Sequence, residues 1–259
     1  MAGGRRWSDT CARLETLVSA AWITQLALPD RELHDVGGGL LSALGAEERG
    51  SAYDRQAATY DRLVGNRLYN SLVWKASPAS YTAFSAAAVS DSDGPLLDVG
   101  CGTAVFTAAS YRSTSRPLVL VDRSLGMLRK AARRLGVDPN RVALIQADLF
   151  DLPLQPGSFA TVSCHGLLHL FDDPSQVVRA LRSQLAPGGS LYVTSLLAET
   201  AIGTQALRLL HRIGEAAAPR TENDLSAIAR AELGDTFRLR REGSMAFLHL
   251  PAPPAGSFR

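Results

Sequence analysis

Short apolar runs recur along the chain from Leu96 onward, and segments with helical periodicity separate the first five of them. A short apolar run bounded by turn residues is typical of a buried strand, and apolar positions three and four residues apart indicate a helix. Seven strands are predicted in this way, at residues 96–99, 118–121, 142–147, 159–163, 191–196, 237–241 and 245–250. Because strands and helices alternate, we expect an α/β fold with a doubly wound, mostly parallel sheet, closed at its C-terminal edge by an antiparallel pair.

Capping residues mark the ends of the predicted helices. Ser124 is expected to begin a helix that Gly136 ends, and Asp173 precedes Pro174 at the start of the next helix. Short polar side chains accept hydrogen bonds from the first free N–H groups of a helix, and glycine suits the turn after its last residue. A helix-rich insertion is expected near residues 199–220, after the fifth strand.

The first fifty residues carry one further helical pattern. Apolar residues between Leu14 and Leu26 have helical spacing, Pro29 ends the pattern, and Gly37–Gly39 are expected to form a hinge. Charged residues interrupt the stretch before this pattern, so a signal peptide is not predicted. We expect residues 1–50 to be a helical extension that packs on the remainder of the chain or forms a homodimer through its helices.

A glycine-containing loop follows the first predicted strand, at Gly100 and Gly102. Glycine allows a positive φ and lets a ligand approach the main chain, and the N–H groups of the next helix favour a polar ligand. The third glycine of a dinucleotide fingerprint is replaced by Val105, and no Gly-Lys-Ser/Thr of a P-loop follows. Asp122 ends the second strand, 20 residues after Gly102, where α/β folds bind ribose. A nucleoside without a pyrophosphate is therefore predicted.

Composition and charge exclude several classes of protein. The chain has 259 residues, of which 46% are hydrophobic and 20% charged, which suits one large α/β core with a helical extension. A net charge of +2 is too small to indicate a nucleic acid or a membrane surface as a partner. The chain has 3 cysteines, an odd number, which favours free thiols and a cytoplasmic location over a disulfide framework.

Four motifs in order resemble those of class I S-adenosylmethionine-dependent methyltransferases. They are Asp98-Val99-Gly100-Cys101-Gly102-Thr103, Val121-Asp122-Arg123-Ser124 with Met127-Leu128, Ala147-Asp148-Leu149, and Leu185-Ala186-Pro187-Gly188-Gly189. The resemblance covers residues 53 to 250 and is to the small-molecule branch, which includes quinone-pathway and secondary-metabolite enzymes. It implies a Rossmann-like core over residues 95–259 that methylates an O, N or C atom of a small metabolite and leaves S-adenosylhomocysteine. Ala104 departs from the family, because a third glycine is usual there.

The resemblance also implies a set of cofactor-binding residues. Residues 100–102 would offer backbone groups to the methionyl part of the cofactor, and Asp98 would fix the loop or meet the ammonium group through water. Asp122 would accept bonds from ribose hydroxyls, and Asp148 with the N–H of Leu149 would bind the adenine. The full expected set is Tyr60, Asp98, Gly100, Cys101, Gly102, Asp122, Arg123, Met127, Asp148, Leu149, Cys164 and His165.

A tyrosine-containing segment precedes the glycine loop. Tyr53 and Tyr60 are seven residues apart and would share one face of a helix. Methyltransferases of this class often place such a segment over the methionine end of the cofactor, so residues 51–94 are interpreted as a helical lid and Tyr60 as a cofactor contact. The alternative is that both rings belong to the core.

Two histidines follow the fourth predicted strand and are the candidate catalytic residues. A sulfonium is a strong methyl donor, so alignment of the reactants supplies most of the acceleration, and a base matters only for a protonated acceptor. His165 and His169 are the candidate bases, with cofactor contact as the alternative for His165 and a structural role as the alternative for His169. Asp172-Asp173 lacks a third ligand, so no metal is predicted. A different function stays open, in which the fold binds the cofactor without methylating, as a cyclase or pericyclase-type scaffold or a non-catalytic partner subunit.

Overall fold

A single sheet of nine strands runs through the described part of the chain. The computed structural model describes residues 21–45, 47–48, 69–136 and 138–253. The strands are β1 (His34–Asp35), β2 (Leu40–Ser42), β3 (Leu96–Val99), β4 (Leu118–Asp122), β5 (Val142–Gln146), β6 (Phe159–His165), β7 (Leu185–Leu196), β8 (Arg238–Glu242) and β9 (Met245–Leu250). Their order across the sheet is β1-β2-β5-β4-β3-β6-β7-β9-β8.

The order of the strands reverses between β3 and β6. From β3 the chain moves outward through β4 to β5, then returns to β6 on the other side of β3 and continues to β7. All of these neighbours pair in parallel. In an open α/β sheet, such a switch point leaves a crevice at the carboxyl ends of the strands where ligands bind. β9 and β8 add antiparallel strands beyond β7, which confirms the predicted edge.

The prediction of seven strands is wrong, because two short strands extend the other edge of the sheet. β2 pairs in parallel with β5, and β1 pairs with β2 as an antiparallel hairpin. Gly37, Gly38 and Gly39 have φ values of +82°, +69° and +75° and form the turn of this hairpin rather than the expected hinge. The two strands are 2 and 3 residues long, too short for an apolar run to reveal them.

The predicted N-terminal helix lies mostly outside the described residues. Within positions 21–45 the structure has a short 3₁₀-helix at Ala21–Gln25, which coincides with the end of the helical pattern, and then the β1–β2 hairpin. Two predicted segments lie partly outside the described residues: residues 1–20 of the extension whose helices are predicted to form a homodimer, and residues 51–68 of the predicted lid, which include Tyr60. The described part of the predicted lid contains the helices at Asn70–Trp74 and Pro78–Ser90. The domain boundaries therefore stay predictions.

Helices pack on both faces of the sheet, and the described residues contain six α-helices and, besides the 3₁₀-helix Ala21–Gln25, two further short helices. They are α1 (Pro78–Ser90), α2 (Ala108–Arg112), α3 (Leu125–Leu135), α4 (Pro174–Ser183), α5 (Ala201–Arg212) and α6 (Glu222–Leu233), with a π-helix at Asn70–Trp74 and a 3₁₀-helix at Leu168–Leu170. The Ser124 side chain accepts a hydrogen bond from Met127 N at 3.2 Å, and Gly136 ends α3 with a φ of +62°. Asp173 Oδ1 accepts from Ser175 N at 3.0 Å before α4. The predicted caps are therefore confirmed.

The core lies on both sides of the central strands. Successive residues of a strand point to opposite faces, so Leu118 and Leu120 belong to one apolar cluster with α3 residues, and Val119 and Val121 to another with α4 and α6 residues. Among the helices in the described residues, none combines the length and the apolar composition that a membrane crossing requires.

One arginine is buried where α1 ends against the sheet. Arg116 is 3% exposed. Its Nε donates to Gly94 O at 2.8 Å, its Nη1 to Ala88 O at 3.0 Å and Val89 O at 2.9 Å, and its Nη2 to Thr161 Oγ1 at 2.9 Å. The guanidinium therefore joins the carbonyl end of α1 to the loop before β3 and to β6, and burial lowers its pKa.

Candidate functional site

The loop after β3 has the backbone geometry that two glycines allow. Gly100 has a φ of +70° and Gly102 a φ of +54°. A Cβ on Gly100 would lie 2.9 Å from Leu167 Cδ2, whereas a Cβ on Gly102 would have nothing within 4 Å. A Cβ on Gly100 would therefore press on the end of the Leu167 side chain, whereas Gly102 leaves open space beside the main chain that a ligand can enter.

Ala104, two residues after Gly102 in the glycine loop, is itself held in the left-handed region. Its φ is +54°, and its side chain is buried. A Cβ costs roughly 1–2 kcal/mol in this conformation, so we expect Ala104→Gly to raise the free energy of unfolding by about 1 kcal/mol in urea denaturation. Ala132→Gly, inside α3, is the control and should lower it by about 1 kcal/mol. A less stable Ala104→Gly protein would contradict strain at this position.

Asp122, at the end of β4, holds the glycine loop from the neighbouring strand. Its Oδ2 accepts a hydrogen bond from Gly102 N at 2.8 Å, and its Oδ1 accepts one from Ser124 N at 2.8 Å. An ionised carboxylate has roughly four lone-pair sites, so two backbone bonds do not exhaust it. Asp122 is partly buried and lines the cavity described next.

A cavity of about 370 Å³ opens at the carboxyl ends of β3, β4, β5 and β6. Its position is the switch point of the sheet, and its volume is in the range of small-molecule sites. Several predicted cofactor-binding residues line it, namely Gly100, Gly102, Asp122, Arg123, Met127, Asp148, Leu149 and His165. The structure therefore brings together in one space residues that come from separate sequence motifs.

Arg123 and Asp148 form the edge of this cavity between β4 and β5. Arg123 Nη1 lies 3.0 Å from Asp148 Oδ2, and Phe150 N donates to Asp148 Oδ1 at 2.9 Å. The two side chains of the ion pair are 52% and 37% exposed, so the pair contributes little to stability. A ligand at this edge would share the Asp148 carboxylate with Arg123.

Two aromatic side chains that the sequence reasoning missed also line the large cavity. Phe150 and Phe171 pack edge to face with ring centroids 5.5 Å apart. Phe150 is 50% exposed, although an aromatic side chain gains from burial. In the sequence, the signal for Phe150 is its place directly after the Ala147-Asp148-Leu149 motif, whereas Phe171 has no comparable signal.

A smaller cavity of about 60 Å³ adjoins the glycine loop on the side of Tyr81, and Asp98 lines it. Asp98 is 1% exposed. Its Oδ2 accepts from Tyr111 Oη at 2.9 Å, and its Oδ1 has no partner in the described part of the chain. Burial raises the pKa of Asp98 to about 7, while the Tyr111 hydrogen bond lowers it and the Asp122 charge raises it further.

The raised pKa of Asp98 makes stability depend on pH. A carboxyl whose pKa is higher in the folded protein stabilises the fold fully below its unfolded pKa, roughly 3.9, and this contribution is lost as the pH rises through the folded value. Between pH 4 and pH 8 we expect wild type to lose on the order of 2 kcal/mol of unfolding free energy relative to Asp98→Asn. Urea denaturation at several pH values measures this difference, and parallel pH profiles of the two proteins would contradict it.

His165, the last residue of β6, lines both cavities. Both ring nitrogens are shielded from solvent, and neither has a partner within the described ranges. Burial lowers the pKa of His165 to about 4, so the imidazole is neutral near pH 7. A neutral imidazole can accept a hydrogen bond at one nitrogen and donate one at the other. The ring of Phe84 packs edge-on against it at 6.0 Å.

His169 does not line either of these cavities. It lies in the 3₁₀-helix Leu168–Leu170 and borders a separate space of about 10 Å³ together with Arg220. Burial and the charge of Arg220 lower the pKa of His169 to about 4, and its carbonyl accepts from Ala217 N at 3.0 Å. The structure therefore separates the two candidate bases, and the role of His169 stays a prediction.

The two cysteines named as cofactor contacts differ in position. Cys101 lines the smaller cavity, whereas Cys164 is buried in the core and lines neither cavity. Burial raises the pKa of both thiols, so both stay protonated near pH 7. In the part of the chain that the structure describes, no group of three or more His, Cys, Asp or Glu side chains is arranged to hold a metal ion.

Comparison with known proteins identifies the central part of the chain. Residues 97–193 match the family model described as "Methyltransferase domain". This segment runs from β3 into β7 and contains the glycine loop, Asp122, Asp148 and His165. Residues 97–193 of the chain are therefore similar to a methyltransferase domain.

Curated relatives match less than half of the chain. An uncharacterised protein of Synechococcus is 38% identical over 102 residues, which cover 38% of this chain and 24% of the relative. A ubiquinone biosynthesis O-methyltransferase of Xanthomonas euvesicatoria is 33% identical over 105 residues, which cover 39% of this chain and 42% of the relative. The chain thus spans less than half the length of these relatives.

Solved structures share the fold. A S-adenosylmethionine-dependent methyltransferase from Thermotoga maritima has a TM-score of 0.56 at 18% identity, covering 76% of this chain and 96% of that chain. DhpI, solved with S-adenosylhomocysteine, has a TM-score of 0.58 at 21% identity, covering 80% of this chain and 97% of that chain. The predicted Rossmann-like α/β methyltransferase fold is therefore confirmed.

Proposed function

We propose that the protein transfers a methyl group from S-adenosylmethionine to an O, N or C atom of a small-molecule acceptor. The observation that supports this most is the cavity of about 370 Å³, where the glycine loop, Asp122, Asp148 and Phe150 face one space. Open space beside Gly102 suits a polar chain, carboxylates suit hydroxyl and amino groups, and an aromatic pair suits a planar base. In this arrangement they match the amino-acid chain, the ribose and the adenine of the cofactor.

Each part of the cofactor has its proposed residues. Asp122 would accept hydrogen bonds from the ribose hydroxyls, and Asp148 with the N–H of Leu149 would bind the adenine. Gly102 would offer its main chain to the methionyl part, and the buried, unpaired Oδ1 of Asp98 would accept a bond from the ammonium group, directly or through water. The pKa of Asp98 would then fall, because an opposite charge favours the ionised carboxyl.

The methyl acceptor would approach from the smaller cavity beside His165. When bound, S-adenosylmethionine supplies an electrophilic methyl group on a sulfonium. The residues of this chain contribute by orienting the acceptor and excluding water, which can supply most of the acceleration. Tyr81 and Phe106 line this cavity, and their rings stack with centroids 4.8 Å apart. An aromatic wall of this kind favours a flat, weakly polar acceptor.

His165 is the proposed general base for an acceptor that must lose a proton. Its ring nitrogens face no other partner in the described residues, and it is neutral near pH 7. We expect His165→Asn to lower kcat for a hydroxyl acceptor by roughly a hundredfold, because a positioned base contributes on this scale, while the affinity for S-adenosylhomocysteine changes less than threefold. Steady-state kinetics with calorimetry measure both quantities. Unchanged kcat would rule out His165 as an essential base, and His169→Asn is the matched control.

The proposed activity is tested with S-adenosylmethionine that carries a tritiated methyl group. The purified protein is incubated with separate pools of phenols, amines and carboxylic acids, and label in the small-molecule fraction is counted. We expect label in at least one pool, and its loss in Asp122→Ala. Tight cofactor binding with no label transferred to any pool would contradict methyl transfer and favour use of the fold without methylation. Because Cys101 and Cys164 are free thiols, we place this activity in the cytoplasm.

A further inference from the structure

Three side chains lie in one row across the carboxyl ends of β2, β5 and β4. Ser42 is in register with Gln146, and Gln146 is in register with Asp122. Residues in register on neighbouring parallel strands point to the same face of the sheet. Ser42 and Gln146 are both 0% exposed. The row therefore runs from the short edge strand β2 through the core to the carboxylate of the candidate site.

Gln146 connects Ser42 to the main chain of Arg123, the residue after Asp122, through both ends of its side-chain amide. Its Nε2 donates to Arg123 O at 2.8 Å, and its Oε1 accepts from Ser42 Oγ at 2.9 Å. The orientation of the amide follows from its partners, because a backbone carbonyl can only accept and the NH₂ group must face it. The Ser42 hydroxyl is then the donor to Oε1. Ser42 Oγ also accepts from Leu44 N at 3.1 Å, and Leu44 O, at 3.4 Å, is a more distant acceptor for the hydroxyl than Gln146 Oε1.

The peptide that Gln146 holds belongs to the nucleoside end of the site. Arg123 lies between Asp122, which binds Gly102 N, and Ser124, whose N–H binds Asp122 Oδ1. The Arg123 side chain reaches Asp148. A hydrogen bond to the Arg123 carbonyl therefore restrains two features. It restrains the direction of the Asp122 carboxylate, and it restrains the backbone from which the Arg123 side chain reaches Asp148.

We propose that Gln146, oriented by Ser42, is a positioning residue for the nucleoside part of the cofactor, so that the β1–β2 hairpin forms part of the working site. This inference rests on the proposed function, because it assumes that Asp122 and Asp148 bind a nucleoside. The hairpin lies outside residues 97–193, which match the family model, so the contact joins a segment outside the matched range to the candidate site. Neither Gln146 nor Ser42 lines the cavity, and both act through Arg123.

The experiment is calorimetric titration of S-adenosylhomocysteine into wild type, Gln146→Leu and Gln184→Leu. Gln184 is the matched control, because it is a buried amide at the opposite, amino-terminal ends of β6 and β7. All titrations are made well below the thermal midpoint of each variant. We expect Gln146→Leu to bind S-adenosylhomocysteine about tenfold more weakly than wild type. Gln184→Leu should bind within twofold of wild type, even if its thermal midpoint falls by as much as that of Gln146→Leu. Equal affinities of Gln146→Leu and wild type would overturn the proposal.

A double-mutant comparison tests whether Ser42 acts through Gln146. Ser42→Ala alone should weaken binding three- to fivefold, and it should have no further effect on affinity in the Gln146→Leu background. A purely structural role would give the same loss in both backgrounds and would overturn the assignment. If wild type itself failed to bind S-adenosylhomocysteine, the proposed function would fail; if wild type bound and the Gln146 variant matched it, only the positioning role would fail.

Discussion

Asp122→Ala is expected to weaken the binding of S-adenosylhomocysteine by about a hundredfold or more. The change removes the acceptor that holds Gly102 N at 2.8 Å and the one that holds Ser124 N at 2.8 Å. It also removes the carboxylate that is proposed to bind the ribose hydroxyls. Hydrogen bonds to a charged group contribute roughly 1.5–3 kcal/mol each, and about 1.4 kcal/mol corresponds to tenfold in affinity. Calorimetric titration of the folded variant measures the loss.

Two further variants test whether affinity is lost because the Asp122 carboxylate is removed or because any negative charge in the region is removed. Asp122→Asn keeps one oxygen acceptor, so it should bind more tightly than Asp122→Ala and more weakly than wild type. Asp151→Ala is the control, because Asp151 is a 68% exposed acid of the same region that pairs with Arg31 and does not line the cavity. Its affinity should stay within twofold of wild type. An Asp122→Ala protein that binds within twofold of wild type would contradict the ribose assignment.

Arg116→Met is expected to lower the free energy of unfolding by about 3–5 kcal/mol. Methionine fills a similar volume but leaves the carbonyls of Ala88, Val89 and Gly94 without their donor. Each buried group that loses its partner costs roughly 1–3 kcal/mol, and a whole domain has only about 5–15 kcal/mol of stability. Urea denaturation followed by circular dichroism measures the change.

The control for Arg116 is another arginine with one hydrogen bond at an exposed position. Arg112 Nη1 donates to Arg134 O at 2.8 Å. Arg112→Met should cost less than about 1 kcal/mol, because water can replace a lost partner at the surface. If the two variants were equally stable, the four contacts of Arg116 would not be a major source of stability. Arg116→Lys is a further test, since a lysine cannot reproduce the fork of donors and should recover only part of the loss.

Local patterns in the sequence predict the central strands of the sheet and the N-terminal caps of two helices. The strands β3 to β6 are short apolar runs buried on both faces, so their signal does not depend on what packs against them. Ser124 and Asp173 bond to groups two or three residues away, and such contacts can be read from spacing alone.

The features that were missed depend on residues far apart in the chain. β2 is 3 residues long and exists because it pairs with β5, about a hundred positions later. Arg116 is polar and lies beside Pro117, which indicates a loop, and its burial is explained by hydrogen bonds to distant residues such as Ala88 and Thr161. Contacts between residues so far apart in the chain leave no periodic pattern in the sequence.

The candidate site likewise combines residues that local sequence patterns predict with positions that only the fold determines. Gly100, Gly102 and Asp122 follow strand ends that the sequence predicts, and the topology then brings them to one cavity. His165 and His169 are four residues apart and could not be separated by motif alone. His165, at the end of β6, lines the large cavity. His169, in the 3₁₀-helix, borders a different space together with Arg220.

Calorimetric titration of the purified wild-type chain with S-adenosylmethionine, and separately with S-adenosylhomocysteine, tests whether the cavity between the glycine loop and Asp148 is a cofactor site. We expect binding in the micromolar range or tighter for S-adenosylhomocysteine, roughly 8 kcal/mol, with one site per chain. The heat of binding should disappear in Asp122→Ala and persist in Asp151→Ala. A folded wild-type protein that binds neither compound at millimolar concentration would contradict the proposed function.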